Sequence, residues 1–343
     1  MSLAKAIETG DLTQLPSRRD EDWRWTDLRG LIRVLPPTSP AVEGDLGAGP
    51  FAADVILTIV NGRGPAALVV AAGQTRTVAL RVIAATEATA HAARLTVTVG
   101  EGARLTLLES HEGRAARYLT QTDLDITLAA GASLERIVLV ADDAEAVAIV
   151  DAGIALAPAA HYAQTVLTSG ARRQRIETRV THPGQGATVR LDGAYLLRNQ
   201  RHADTTSVVI HDGLGGVTSQ LTKGVVDDQA RGVFQGRIVV QRGADQTDAR
   251  MGHHALILSD KAEVDAKPEL LIFADDVQCA HGNTVGALDE NALFYAQQRG
   301  MPYDTARALL TEAFVGEVVD RIEHDGARAV AAAWVAEQLE RGE

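Results

Sequence analysis

Cys279 and His281 stand two residues apart near the end of the stretch KPELLIFADDVQCAHGNTVG, residues 267–286. A thiolate and an imidazole are ligands for iron and its clusters, and carboxylates suit bare ferrous iron. On a strand, residues i and i+2 project from the same face, so the pair would share one target. One cysteine and one histidine make at most half of a site. Cys279 is the single cysteine of the chain, which excludes an internal disulfide and a four-thiolate cluster site. The rest of such a site would come from a partner chain. His253 precedes His281 by about one repeat step, so in stacked coils it is a candidate third ligand. Each residue also has a plainer reading. A lone cysteine is commonly a small buried apolar residue. His253 and His254 suit a surface or turn, and Asp275-Asp276 suits a turn after a strand as well as iron delivery.

The elements that would carry these residues are strands. Short β-branched runs alternate with small turn residues: VILTIV, AALVVAA, TVALRVIAA, RLTVTVG, ARLTLLES, LDITLAA, ERIVLVA, AVAIVDA, SVVIHD, GRIVVQ, HALILS and LLIFAD. No helical pattern separates them, which argues against a βαβ fold. A small residue closes a turn before a new strand at Gly73, Gly102, Gly131, Ala159, Gly186, Gly216 and Gly243, at steps of 27 to 30 residues. That period predicts a solenoid, and with only strands and turns in each unit the solenoid is a β-helix. A β-sandwich with regular turns is the alternative. Residues 1–50 read as a short helical and irregular region, with helices at Ala4–Ile7 and Trp23–Val34 and a helix start at Pro16–Trp23. Residues 51–286 read as the β-helix core and 287–343 as a C-terminal helical domain. In that domain Asp289 caps one helix ending near Gly300. Asp304 caps a second, with Leu309, Leu310, Phe314, Val318 and Ile322 on one face, and Gly326 ends it before a third.

The chain has 343 residues, 46% of them apolar, and a net charge of −12. That allows a sizeable core and argues against a nucleic-acid surface. The N-terminus breaks into charges too early for a signal peptide, and no apolar run approaches the roughly 18 residues of a membrane span. A cytoplasmic address is expected. No GxxxxGK[ST] loop occurs, so the chain is not expected to hydrolyse ATP itself.

Arg231-Gly232-Val233-Phe234-Gln235-Gly236, Lys267-Pro268, Ala274-Asp275-Asp276, Cys279, His281-Gly282, Gly286, Asp289, Phe294-Tyr295 and Arg299-Gly300 closely resemble the C-terminal signature of the SufB/SufD family. Near the N-terminus, Glu21-Asp22-Trp23 with Thr26 resembles a shorter motif of that family, while the middle is similar mainly in texture. The resemblance implies a right-handed parallel β-helix flanked by small helical regions. It implies a non-enzymatic scaffold subunit for iron–sulfur cluster assembly, pairing with SufB through the β-helices and docking the SufC ATPase on its C-terminal helical domain. On that reading His281 and Cys279 lie at a shared cluster-forming interface. A cluster or iron passes transiently, and no cofactor is held stably. Phe294, Tyr295, Arg299, Arg307 and Phe314 are the candidates to face SufC. SufB-like chains carry Glu directly after the histidine, and Gly282 here sides with SufD-like ones. The N-terminal region is shorter than in many relatives, which puts that part of the family's surface in doubt. The open edges of a β-helix also invite pairing with a second copy when SufB is absent.

Two rivals remain. One is a SufB-like subunit carrying more of the cluster chemistry. The other is a β-helix carbohydrate-active enzyme, which would need paired carboxylates or a calcium cluster. Acids such as Asp151, Asp192 and Asp212 are spread along the coils without forming one.

Overall fold

In the computed structural model, which describes residues 1–340, the chain forms a parallel β-solenoid of two sheets. The first sheet stacks β1 (Val55–Val60), β3 (Thr75–Ala84), β5 (Arg104–Gly113), β7 (Ser133–Ala141), β9 (His161–Thr168), β11 (Thr188–Leu197), β13 (Val217–Val226), β15 (Thr247–Ile257) and β17 (Val277–Gly286) in that order. The second stacks β2 (Ala67–Val70), β4 (Ala90–Val99), β6 (Leu119–Leu128), β8 (Val147–Leu156), β10 (Arg173–His182), β12 (His202–His211), β14 (Arg231–Val240) and β16 (Glu263–Ile272). Each coil gives one strand to each sheet, and no coil can bury its inner face alone.

The turns follow from the repeat. Gly73, Gly102, Gly131, Gly186 and Gly243 all take positive φ, between 61° and 84°. Ala159 does so at 55° with a Cβ to accommodate, and in the remaining turn the positive φ falls on Gly215 rather than Gly216. Successive turns stack by backbone hydrogen bonds, as in Gly102 to Ala130 and Gly131 to Pro158.

Inward positions alternate along each strand. In the earlier coils they are aliphatic: Leu95, Val97, Leu105, Leu107, Leu124, Ile126, Val138 and Val140 form one buried cluster. Polar groups enter where they can be paired. Glu109 takes both Arg136 Nε and Nη2, at 2.8 and 2.9 Å, and His111 Nε2 at 2.6 Å. Burial alone would raise the Glu109 pKa, but Arg136 and His111 outweigh it and hold the carboxyl at about 2.

The outer faces are covered by the two ends of the chain. α1 (Leu3–Thr9), α2 (Leu28–Leu31) and the chain beside them pack Leu3, Ala6, Leu15, Leu28 and Ile32 against Ala90, Leu119, Val147 and Ile149 on the second sheet. The expected helix over Trp23–Val34 is thus only the four residues of α2, preceded by a single 3₁₀ turn at Glu21–Trp23. At the other end come α3 (Glu290–Gln298), α4 (Tyr303–Val319) and α5 (Asp325–Glu340). Asp289 caps α3 through the Asn291 and Ala292 amides. Pro302, not Asp304, is the N-cap of α4, and Asp304 lies in the first turn. Gly326 does not end α4, which stops at Val319; it lies in the first turn of α5. Residues 341–343 of the expected C-terminal domain lie outside the described part. No helix among the described residues is long and apolar enough to cross a membrane.

Candidate functional site in the last coil

The chemistry-bearing residues sit on the last coil, where the stack ends. Among the described residues β17 pairs only with β15, and β16 only with β14. Cys279 lies opposite Ala249, His281 opposite Met251 and Asn283 opposite His253. Ala249, Met251 and His253 are buried inward-facing residues, so Cys279, His281 and Asn283 form the matching inward row of a coil with no further coil beyond it. Side chains that would be core in mid-solenoid therefore reach the surface: Cys279 is half-buried, while His281 and Asn283 are exposed.

Cys279 packs against the buried cluster that includes Phe234, Ala249 and Met251. Burial raises its thiol pKa, with nearby Asp248 adding to the rise. Isolated, this is a thiol rather than a thiolate, and a cation or metal brought to the edge would favour its ionisation.

His253 does lie in the adjacent coil, but it faces Asn283 and not His281. Both ring nitrogens are engaged. Nδ1 bonds Asn283 Oδ1 at 2.6 Å, and Nε2 bonds the Tyr195 hydroxyl at 2.8 Å. With Asn283 accepting, Nδ1 carries the proton and Nε2 accepts from Tyr195. The ring stacks on Phe234 at 4.5 Å between centroids. Burial pushes its pKa down to about 4, so it is neutral. His253 is not a free ligand in this arrangement; it orients Asn283. Room for its layer comes from glycines, since a Cβ on Gly224 would fall 2.1 Å from the Tyr195 ring and one on Gly236 would fall 2.0 Å from Met251 Sδ.

Asn283 and Tyr195 were not singled out from sequence, although the alternation Cys279, His281, Asn283 was readable. Asp275 and Asp276 occupy the turn between β16 and β17. Among the described residues no group of three histidine, cysteine or acidic side chains could hold a metal ion. The row therefore supplies two candidate ligands at an open edge. That edge is also apolar, since Leu271, Ile272, Phe273 and Val285 are 40–56% exposed. A Cβ on Gly282 would meet nothing, so packing does not impose glycine there.

The C-terminal candidates divide between two faces. Phe294 and Tyr295 are exposed on α3, with Arg299 stacked over the Tyr295 ring at 4.8 Å. Phe314 instead packs inward on the solenoid with Lys223 over its ring, and Arg307 pairs with Asp227. Those two hold the helices to the solenoid.

A family model described as "SUF system FeS cluster assembly, SufBD core domain" matches residues 82–314. The chain belongs to the SufBD family. Within it, SufD of Escherichia coli is 28% identical over 386 aligned residues, spanning 96% of this chain and 90% of that protein. An iron–sulfur cluster assembly SufBD family protein of Synechocystis is 31% identical over 238 residues, which is 67% of this chain but only 52% of that relative. SufD of Bacillus subtilis is 34% identical over 131 residues, 38% of this chain and 30% of its own length. The SufBD match takes in the coils from β4 onward, the last coil and most of α4.

Proposed function

We propose that this chain is a SufD-type scaffold subunit: a non-enzymatic, cytoplasmic protein that pairs with SufB and docks the SufC ATPase. The observation that carries the reading is the row Cys279, His281, Asn283 at the open end of the solenoid. It offers one thiol and one imidazole beside exposed apolar surface. Such a half-site needs another chain to complete it, which a shared cluster-forming interface would do. The cluster or iron is cargo here, passed on rather than kept. Gly282, where packing would admit a larger residue, supports the SufD-type choice over the SufB-like one. The exposed Phe294, Tyr295 and Arg299 are the surface proposed to meet SufC.

Co-expression with SufB and SufC followed by affinity purification tests the partners, and both are expected to co-purify. A well-folded chain that captures neither sinks the scaffold reading. His281→Ala is expected to leave the fold intact, because the side chain is exposed, and to lower cluster yield of the complex by about tenfold, the loss seen even for outer-shell metal partners. Wild-type yield would remove His281 from the site.

A further inference from the structure

The segment Glu21–Thr26 crosses the outer face of the second sheet and touches four successive strands. Thr26 Oγ1 donates to Asp204 Oδ2 on β12 at 2.5 Å, and both residues are fully buried. The Trp25 carbonyl accepts from His202 Nε2 at 3.2 Å, also on β12. The Arg175 guanidinium of β10 lies 4.6 Å from the Trp23 ring centroid. Arg175 Nη1 and Gln235 Nε2 donate to the Asp22 carbonyl at 2.7 and 3.2 Å. The Asp22 carboxylate takes Arg237 of β14 at 3.0 Å, and Glu21 takes Lys267 of β16 at 2.6 Å. Arg237 also holds Glu269 of β16, at 2.9 Å.

These contacts grade from buried to exposed along the segment. At the Thr26 end, Arg175 is paired with Asp204 and Glu177 in a desolvated cluster that the segment roofs over. Withdrawing a partner from such a cluster is costly. At the Glu21 end the ion pairs are solvent-exposed and individually weak. The Glu21 pair nevertheless falls on β16 itself, and the Asp22 pair reaches it through Arg237 and Glu269; among the described residues β16 is an end strand with one hydrogen-bonded neighbour, a place where fraying is expected. Four residues, 273–276, separate β16 from the strand bearing Cys279 and His281.

We propose that Glu21–Thr26 is a positioning strap for the terminal coil, anchored at Arg175 and Asp204 and reaching through Asp22 and Glu21 to hold β16. It thereby fixes the Cys279–His281–Asn283 row from outside the solenoid. The functional weight of the strap rests on the reading of that row given above; the strap itself does not.

Hydrogen exchange read by mass spectrometry on the isolated full chain tests this. In a Trp23→Ala, Thr26→Val variant, amides of β16 and β17 are expected to exchange about tenfold faster, while β4–β8 stay at the wild-type rate. Glu21→Gln with Asp22→Asn touches only exposed acids and cannot unfold the chain. It is expected to give a smaller acceleration confined to β16 and β17, reproduced in the wild type by high salt. Wild-type protection of β16 and β17 in both variants overturns the proposal. So does acceleration spread evenly over all coils, which would mean a general loss of stability. The exchange is read without partners, so failure of SufB or SufC to bind leaves this test standing.

Discussion

The two flat outer faces of the solenoid are covered by different physics. On the first sheet, α4, α5 and the turn between them press Val315, Val318, Val319, Ile322, Ala331, Trp334 and Val335 onto Ala79, Leu108, Ile137, Leu139, Leu167, Ala194 and Leu196. On the second, apolar packing is confined to β4, β6 and β8, and from β10 onward the cover is the Glu21–Thr26 strap with its charges. Apolar burial is non-directional and tolerates small displacements, whereas hydrogen-bonded charges demand a register. The first face is thus held firmly and without much specificity. The second is held in a fixed geometry that weakens towards the open coil.

The largest test of this contrast is on the apolar face. Trp334 is buried between α5 and the solenoid, and Trp334→Ala removes a large ring from a packed interface. A cost of about 3–5 kcal/mol is expected. Urea unfolding should show it equally at low and high salt. A cost that shrinks as salt is added would mean the two faces do not differ as described.

Much of the fold was legible in the sequence because turns and cores obey separate rules. The 27–30-residue spacing of small residues located the turns, and the left-handed backbone they need explains why six of the seven were placed to the residue. β-branched runs marked most strands. They failed at β9, β10, β11, β13 and β17, whose inward positions include Gln164, Gln174, Thr178, Gly193, Gln220, Gly224 and His281 rather than aliphatics alone. Register was not legible. His253 is 28 residues before His281, but β15 and β17 pair residue 253 with 283, because the last coils are longer. The two residues of slip place His253 against Asn283, and no count of spacing reveals it. The Glu21-Asp22-Trp23 motif was visible too. Its partners lie 153 to 246 residues away, so its role was not.

Charge intrudes on the apolar face too, as in Lys223–Glu317 and Arg307–Asp227, and the most deeply buried carboxylate among these pairs is Asp192. Asp192 on β11 is buried beneath the turn after α4, with Arg321 Nη1 at 3.2 Å and Arg190 Nε at 3.4 Å. Burial raises its pKa to about 6, and the two arginines only partly offset it. The folded-state pKa lies above the ordinary 3.8, so the unfolded chain gives up this proton first. Ionising Asp192 then costs the fold as pH rises from about 4 through 6. Asp192→Asn removes that cost, worth at most about 3 kcal/mol. Its arginines keep other partners, Glu323 for Arg190 and Ser219 for Arg321. The variant should unfold at higher urea than wild type at pH 8 and lose the advantage near pH 4. An advantage independent of pH would point to packing and remove Asp192 as a buried charge that costs the fold.

The smallest effect belongs to the charged face and is the more discriminating for it. Lys267 spans Glu21 of the strap and Glu269 of its own strand, at 2.6 and 3.3 Å. These pairs lie at the surface, with Glu21 exposed, so Lys267→Met should cost less than about 1 kcal/mol of global stability. It should also make the stability of the chain less salt-dependent, because one screened attraction is gone. Global unfolding passes through all coils, whereas this pair guards only the last, so the change should be larger in the exchange of β16 amides than in the urea midpoint. An equal change in both measurements would mean that the last coil unfolds with the rest. The two faces would then share one stability, and the strap would add nothing of its own.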